Sequence, residues 1–529
     1  MRNNQLPGRS VVMSTEAMAA TSQPMATETA LQVMRDGGNA LDAAIAASAV
    51  LSVVETYSTG IGGDCFILYH EAATGKLHAL NGSGRTAAAS TAETIRTRGF
   101  DSMPEQHILS ATVPGAIDAW HQASQKFGKL DFANLLQPAI HYAEQGYAVT
   151  PIIARNWKST EALLAQTPEA SKAYLVDGKA PAVGTIHRQP DLARSLRSIA
   201  SHGPDVFYRG EIAEEIVRYS DSCDGLFSLD DFANHESEWV QPISTNYRGY
   251  DVFEIPPNGQ GITTLMALNI LAQTEVSKLP QLGADHVHLI SEAFTLSMAE
   301  RDRFVADMSF NELPVAQMLS NEFAQTQYAR IDMNKALTQP VESALPNHRD
   351  TVYLSVVDKD RNVCSFINSV FYSWGCGHVA GSTGINLNNR GSGFSLADGH
   401  FNQIAPRKRP MNTIIPAMVY QQDKPVLSFG VMGGQYQAMG QTYVLSNWID
   451  YGMDIQEALD AARFFLYAGI LEVEANVPAA ARVGLAAKGH NVIAADSSWG
   501  GGQAIVIDWD NGVLHGGSDP RKDGHAAGY

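Results

Sequence analysis

Residues 347–370 read "NHRDTVYLSVVDKDRNVCSFINSV", and the fold turns on how they pair. Thr351 opens T-V-Y-L-S-V-V, a run of β-branched and aromatic residues, and residues 363–370 form a second such run. Between them Asp358-Lys359-Asp360-Arg361-Asn362 is turn material, so the stretch predicts a hairpin. With Asp358 facing Asn362, the register puts Thr351 opposite Ser369. Two hydroxyls then share one face at the open end of the hairpin. Period-two alternation places Tyr353 and Ser355 on that face too. Such a pairing is most useful if Thr351 performs chemistry; a plain strand threonine after a loop is the alternative.

Upstream of the hairpin the patterns are mainly helical. Residues 27–54 read as two helices broken at Gly37-Gly38-Asn39, the second ("ALDAAIAASAVLSVV") built of small residues that suit close packing on a sheet. "CFILYH" and "KLHALNG" flank the turn "EAATG" as a hairpin. Residues 133–146, 212–220 and 284–308 are helical candidates, and residues 247–257, "YRGYDVFEIPP", read as one strand stopped by proline. Residues 311–350 are irregular and polar. After Thr351 the chain turns β-rich through "GINLNN", "TIIPAMVYQ" and "PVLSFGVMGG", with helices returning over 442–451 and 455–463. Without a long linker, this order implies one layered domain of helices and sheets.

The 529 residues, 45% hydrophobic and 17% charged, can bury a large core and are far from a disordered composition. A net charge of −18 argues against nucleic acid and anionic membranes as partners. It leaves room for a small anion, because one local arginine outweighs a distant field inside a closed pocket. The four cysteines, Cys65, Cys223, Cys364 and Cys376, form no C-x-x-C pair and read as reduced structural thiols. The first residues carry no apolar signal-like run, and no stretch approaches the ~18 apolar residues of a membrane span; a cytoplasmic enzyme is the default expectation. His286-Val287-His288 looks like a metal pair, but its helical continuation offers no third ligand at a convincing spacing, so no metal and no cofactor is expected. There is no G-x-S-x-G elbow, Walker A loop or strand-borne G-x-G-x-x-G, which leaves esterase, NTPase and dinucleotide readings without support.

Several segments together resemble the γ-glutamyltranspeptidase family. They are "ATETALQVMRDGGNALDAAIAASAVLSVVETYSTGIGGDCFILYH", "LSATVPGAIDAWHQASQKFGKL", "YRGYDVFEIPPNGQGITTLMALNIL" and "DTVYLSVVDKDRNVCSFINSVFYSWGCG". They occur in the family's order and span nearly the whole chain, from about residue 11 to 516. The resemblance implies an N-terminal-nucleophile (Ntn) hydrolase: an α+β, four-layer αββα sandwich of two stacked antiparallel sheets flanked by helices. It also implies a precursor that cuts itself at Asp350–Thr351. Residues 1–350 become a large subunit and 351–529 a small one, the two forming one structural domain, with a further homodimer left open. A threonine hydroxyl is a poor nucleophile unless a base sits beside it. Cutting before Thr351 frees an α-amine with a reference pKa of about 7.7–8.0, so one residue supplies nucleophile and base.

By the same resemblance Ser369 is the hydroxyl supporting the nucleophile, and Gly433-Gly434 supply oxyanion-hole amides, where glycine lets backbone approach a tetrahedral intermediate. Asn412 and Thr413 fall at substrate-facing positions. The departures from the family pattern bear on substrate. The arginine that should hold a carboxylate is displaced two residues, to Arg85. The acidic pair expected after Asn388-Asn389 is replaced by Arg390-Gly391-Ser392-Gly393, and Phe371 stands where an asparagine is usual. An ammonium loses its carboxylate partner and meets an added cation, which favours a small anionic amide without an amine. Within the family, "GSGR", "NNRGSGFSL" and "KRPMNTIIPAM" are similar to a branch holding oxamate amidohydrolase and glutathione-hydrolase-like proteins. The expected reaction is therefore oxamate hydrolysis to ammonia and oxalate, with Arg85 or Arg390 on the carboxylate. Hydrolysis or transfer of γ-glutamyl groups from glutathione-like donors is the alternative, followed by other acyl amides such as β-lactam side chains. An uncleaved, non-catalytic scaffold is the reading from another class.

Overall fold

The computed structural model describes residues 8–337 and 351–529; Asp350 and the bond before Thr351 lie outside them. Two seven-stranded sheets dominate. In chain-spatial order, the first runs His525–Gly528, Met18–Thr21, Val352–Val357, Val363–Ser369, Asp64–Glu71, Lys76–Gly82 and Glu238–Val240. The second runs Val12–Ser14, Val513–Ser518, Gly501–Asp508, Lys424–Met432, Ala417–Gln421, Tyr250–Glu254 and Ile243–Tyr247. Neighbouring strands are antiparallel in both. Each sheet takes strands from both sides of Thr351, so neither side of the expected cleavage point owns a core.

Alternation along Val352–Val357 shows why the sandwich has four layers. Val352, Leu354 and Val356 enter a core shared with the helices Pro24–Arg35, Ala40–Val54 and Ala116–Phe127. Tyr353 and Val357 turn the other way, into a core between the sheets with Phe66, Ile367, Met418, Met432 and Ile505. A third core lies beyond the second sheet, where Val419, Phe429 and Val431 meet Gly261–Ala272, Ala284–Phe304 and Tyr436–Ile449. Three buried interfaces between four layers is the αββα arrangement. Small residues bring the sheets together at the hairpin. A Cβ on Gly430 would lie 2.3 Å from the Tyr353 ring. The Ser428 hydroxyl bonds Ser355 Oγ at 2.6 Å, and Tyr353 OH bonds Ser365 Oγ at 2.7 Å.

The hairpin register is the one the turn residues imply, with Val352 opposite Asn368 and Val357 opposite Val363. Residues 247–257 differ from the single strand expected of them. Tyr247 pairs with Tyr250 across Arg248 (φ 56°) and Gly249 (φ 87°), a two-residue hairpin turn with both central residues left-handed. The polar stretch after residue 311 also holds helices Val315–Met318 and Asn321–Tyr328, and "GINLNN" makes an isolated bridge, Val379–Asn386, in place of a strand. The helix expected over 133–146 is two, Phe132–Leu135 and Gln137–Gln145, parted at Leu136, with Pro138 in the first turn of the second. All four cysteines are free. Among the described residues no helix is long and apolar enough to cross a membrane.

Candidate active site

Sheet register builds a polar row beside Thr351. Ser369 pairs with Asp64 on the next strand, and one step past the Val352–Asn368 pair brings Thr351 opposite Ser369. The two hydroxyls meet, Thr351 Oγ1 to Ser369 Oγ 3.2 Å, both fully buried. Ser369 Oγ also accepts the Phe371 N–H at 2.9 Å. Phe371 reaches that position only with a left-handed backbone, φ 82°, a conformation costly for a side-chain-bearing residue. With the backbone N–H filling one acceptor site, the Ser369 hydroxyl proton is free to point at Thr351 Oγ1.

The second sheet closes the site from the opposite side. Its strand Lys424–Met432 ends at Gly433 (φ 117°) and Gly434 (φ 54°), after which helix Tyr436–Ile449 begins. A Cβ at Gly433 would sit 3.0 Å from Gly500 Cα, so both close approach and backbone conformation demand glycine there. Gln437, in the first turn of that helix, donates Nε2–H to Thr351 Oγ1 at 3.4 Å. This bond brings the diglycine and Thr351 to one end of the sandwich. Gln260 Nε2 ties the layer together by donating to Thr413 O (2.8 Å) and Gly434 O (3.0 Å), while its Oε1 accepts from Arg301 at 2.7 Å.

Asp64 and Arg390 are the electrostatic centre of the site. Both side chains are fully buried. Arg390 donates Nε–H to Asp64 Oδ2 at 3.1 Å and an Nη2 hydrogen to Oδ1 at 2.9 Å, a bidentate fork. Its Nη1 donates to Thr413 Oγ1 at 3.1 Å, and Asn412 Nδ2 donates to Asp64 Oδ2 at 2.6 Å. The guanidinium lies 4.3 Å from the Phe371 ring centroid. Burial lowers the Arg390 pKa from its ordinary value, and the Asp64 charge opposes that shift. Thr351, Ser369, Arg390, Asn412 and Thr413 are thus linked through Asp64 and Ser369's neighbours.

Arg85 belongs elsewhere. It pairs with Glu238 (2.7 Å) and Asp307 (3.2 Å) and donates to Arg407 O (3.1 Å); Arg409 joins the same cluster through Glu238 at 2.7 Å. None of its hydrogen bonds reaches Thr351, Arg390 or Thr413. Asp64 and Gln437 are the site residues that sequence reasoning missed. Asp64 closes the glycine-rich "STGIGGD", and Gln437 follows the diglycine by three residues. Neither signal names a partner.

A family model for gamma-glutamyltranspeptidase matches residues 26–529. The chain belongs to the γ-glutamyltranspeptidase family. It is 37% identical over 528 residues to the "Glutathione hydrolase-like YwrD proenzyme" of Bacillus subtilis, covering 98% of this chain and 99% of that one. To the "Oxamate amidohydrolase proenzyme" of Klebsiella pneumoniae it is 33% identical, with 98% and 99% covered. Among solved structures, a cephalosporin acylase from Bacillus halodurans superposes with a TM-score of 0.93 at 39% identity, covering 100% of this chain and 98% of the other. The αββα layering therefore comes with membership in an Ntn-hydrolase family whose similar members carry the word proenzyme in their names. Amide-bond hydrolysis or transfer is the chemistry of the family; its members differ in the acyl group they take.

Proposed function

We propose that the protein is a self-processing threonine amidohydrolase whose acyl donor carries a carboxylate and no α-amine, with oxamate the first substrate to test. In the precursor, Thr351 Oγ1 attacks the Asp350 carbonyl, the peptide becomes an ester, and water cleaves it to leave the Asp350 carboxylate and a free Thr351 α-amine. In the mature enzyme that amine takes the hydroxyl proton as Oγ1 adds to the substrate amide carbon. The oxyanion faces the Gly433 and Gly434 amides. Collapse breaks the C–N bond, the amine returns its proton to the leaving nitrogen, and ammonia departs. Water then hydrolyses the acyl-threonine ester to release oxalate.

The Asp64–Arg390 pair carries the substrate reading. Asp64 already accepts three hydrogen bonds, from Arg390 twice and from Asn412, so little acceptor capacity remains for an ammonium. Arg390 has five N–H hydrogens and spends three of them on Asp64 and Thr413, leaving donors for a carboxylate. The similarity to a glutathione-hydrolase-like protein and to a cephalosporin acylase supports two competing donors, a γ-glutamyl amide and a larger acyl side chain.

The test is a purified-enzyme panel scored for amine release from oxamate, glutathione, a γ-glutamyl anilide and a cephalosporin. Oxamate should show the highest kcat/KM. Efficient γ-glutamyl turnover with negligible oxamate turnover reverses the assignment. The same preparation should run as two bands of about 38 and 19 kDa, dividing 57.1 kDa by the 350 and 179 residues on either side of the cut, with T-V-Y-L-S opening the smaller. Thr351→Ala should stay one chain. Active wild type that remains uncut refutes the mechanism.

A further inference from the structure

Away from the nucleophile, on the far side of the second sheet, helix Ala284–Phe304 carries His288 and Glu292 one turn apart on one face. The turn between helix Ala479–Ala487 and strand Asn491–Ala494 brings His490 against them. All three side chains are buried. His288 Nδ1 lies 2.7 Å from His490 Nε2, and Glu292 Oε1 lies 4.0 Å from the first nitrogen and 3.8 Å from the second. These three atoms all lie within 4.8 Å of one another. His286, the neighbour that the sequence pairs with His288, takes no part; it packs on Tyr451 and Phe464. The third ligand position that the helix lacked comes from a residue 202 positions away in the chain.

His288 and Glu292 are each fixed by a second contact, and His490 Nε2, 2.7 Å from His288 Nδ1, yields its proton to the other nitrogen of its own ring when a metal binds. His288 Nε2 sits 3.0 Å from the Asp332 carbonyl and must donate to it, which leaves Nδ1 as the bare nitrogen facing the cluster. Glu292 Oε2 accepts the Leu337 N–H at 2.9 Å. Its other oxygen, Oε1, is buried without any hydrogen-bond partner, a state that costs free energy unless something occupies it. A cleft lined by Thr295, Met298, Leu337, Tyr467 and His490 adjoins the cluster and can deliver a water as a fourth ligand.

We propose that His288 Nδ1, Glu292 Oε1 and His490 Nε2 bind a divalent transition metal, zinc in the first instance, with a cleft water completing four-coordination. Tetrahedral zinc with bonds near 2.0–2.1 Å sets ligand atoms about 3.3 Å apart. The histidine pair opens by about half an ångström and the two glutamate distances close by a similar amount. The ion ties the run 332–337, which precedes Thr351 in the chain, to helix Ala284–Phe304 and the 488–491 turn.

The test uses full-length protein stripped with a chelator and dialysed, then titrated with zinc chloride by calorimetry and with cobalt chloride by visible absorption. Wild type should take up one metal per chain, and cobalt should give the intense visible bands of a four-coordinate nitrogen–oxygen site. His490→Ala and Glu292→Gln should each weaken uptake by more than the roughly 10–100-fold that loss of an outer-shell partner costs. Folded wild type that takes up no zinc, or no cobalt in a four-coordinate spectrum, overturns the assignment without recourse to the variants. Variants that bind as tightly as wild type overturn it equally.

Discussion

Replacing Asp64 with asparagine should be among the most damaging near-isosteric changes in the chain. The substitution keeps the shape and removes the charge that both Arg390 hydrogen bonds require. It leaves a guanidinium buried at 0% exposure with no carboxylate, and the new amide NH2 must face a donor. Breaking a buried pair by removing one partner costs about 3–5 kcal/mol, most of it the uncompensated charge. Urea unfolding in the uncut Thr351→Ala background, followed by far-UV circular dichroism and tryptophan fluorescence, keeps the covalent state constant. Asp64→Asn should lose about 3–5 kcal/mol. Asp64→Asn with Arg390→Met should lose less than the sum of the two single changes, because no charge is then stranded. A single-variant loss below about 1 kcal/mol, or strict additivity, refutes the claim that these two side chains form one electrostatic unit.

Gly433→Ala should lower kcat roughly 10²–10³-fold in cleaved enzyme, since φ 117° is denied to alanine and the amide must move; near-normal turnover places the oxyanion hole elsewhere. Gln437→Ala removes one long hydrogen bond to Thr351, so kcat/KM should fall about 2- to 13-fold, the equivalent of 0.5–1.5 kcal/mol, and a loss of thousands would make Gln437 a principal catalytic group. The kcat/KM profile should rise through about pH 7–8 as the Thr351 α-amine loses its proton, and a pH-independent rate between 6 and 9 argues against that base. Burial holds His187 down at about 4. As pH falls from about 6.5 the unfolded chain binds the proton first, and stability worth about 3 kcal/mol is lost by pH 4. His187→Phe keeps the ring against Trp157, so the difference between variant and wild type should move in the variant's favour as the pH falls.

Local chemistry carried the hairpin. The 358–362 turn residues and the two-residue alternation define a register in which Thr351 meets Ser369, and the 3.2 Å contact follows from nothing more distant than 18 positions along the chain. The break at Gly37-Gly38-Asn39, the long helix from Ala284 and the hydroxyl face of Tyr353 and Ser355 are legible for the same reason. Residues 247–257 differ because Arg248 looks like an ordinary strand residue, while its left-handed backbone belongs to the tight turn that pairs Tyr247 with Tyr250. What sits beside Thr351 was decided over hundreds of residues. Asp64 lies next to Ser369 because Asp64–Glu71 pairs with Val363–Ser369, a choice made by the packing of four layers. Arg85 and Arg390 look equally suited to a carboxylate as letters. In the fold one is taken up by Glu238 and Asp307, and the other is locked to Asp64. The histidine cluster has the same origin, for His490 has no local relation to His288. A strand's face is a property of its own alternation, whereas the partner of a buried charge is whichever group the chain returns to it, and only the closed sandwich specifies that.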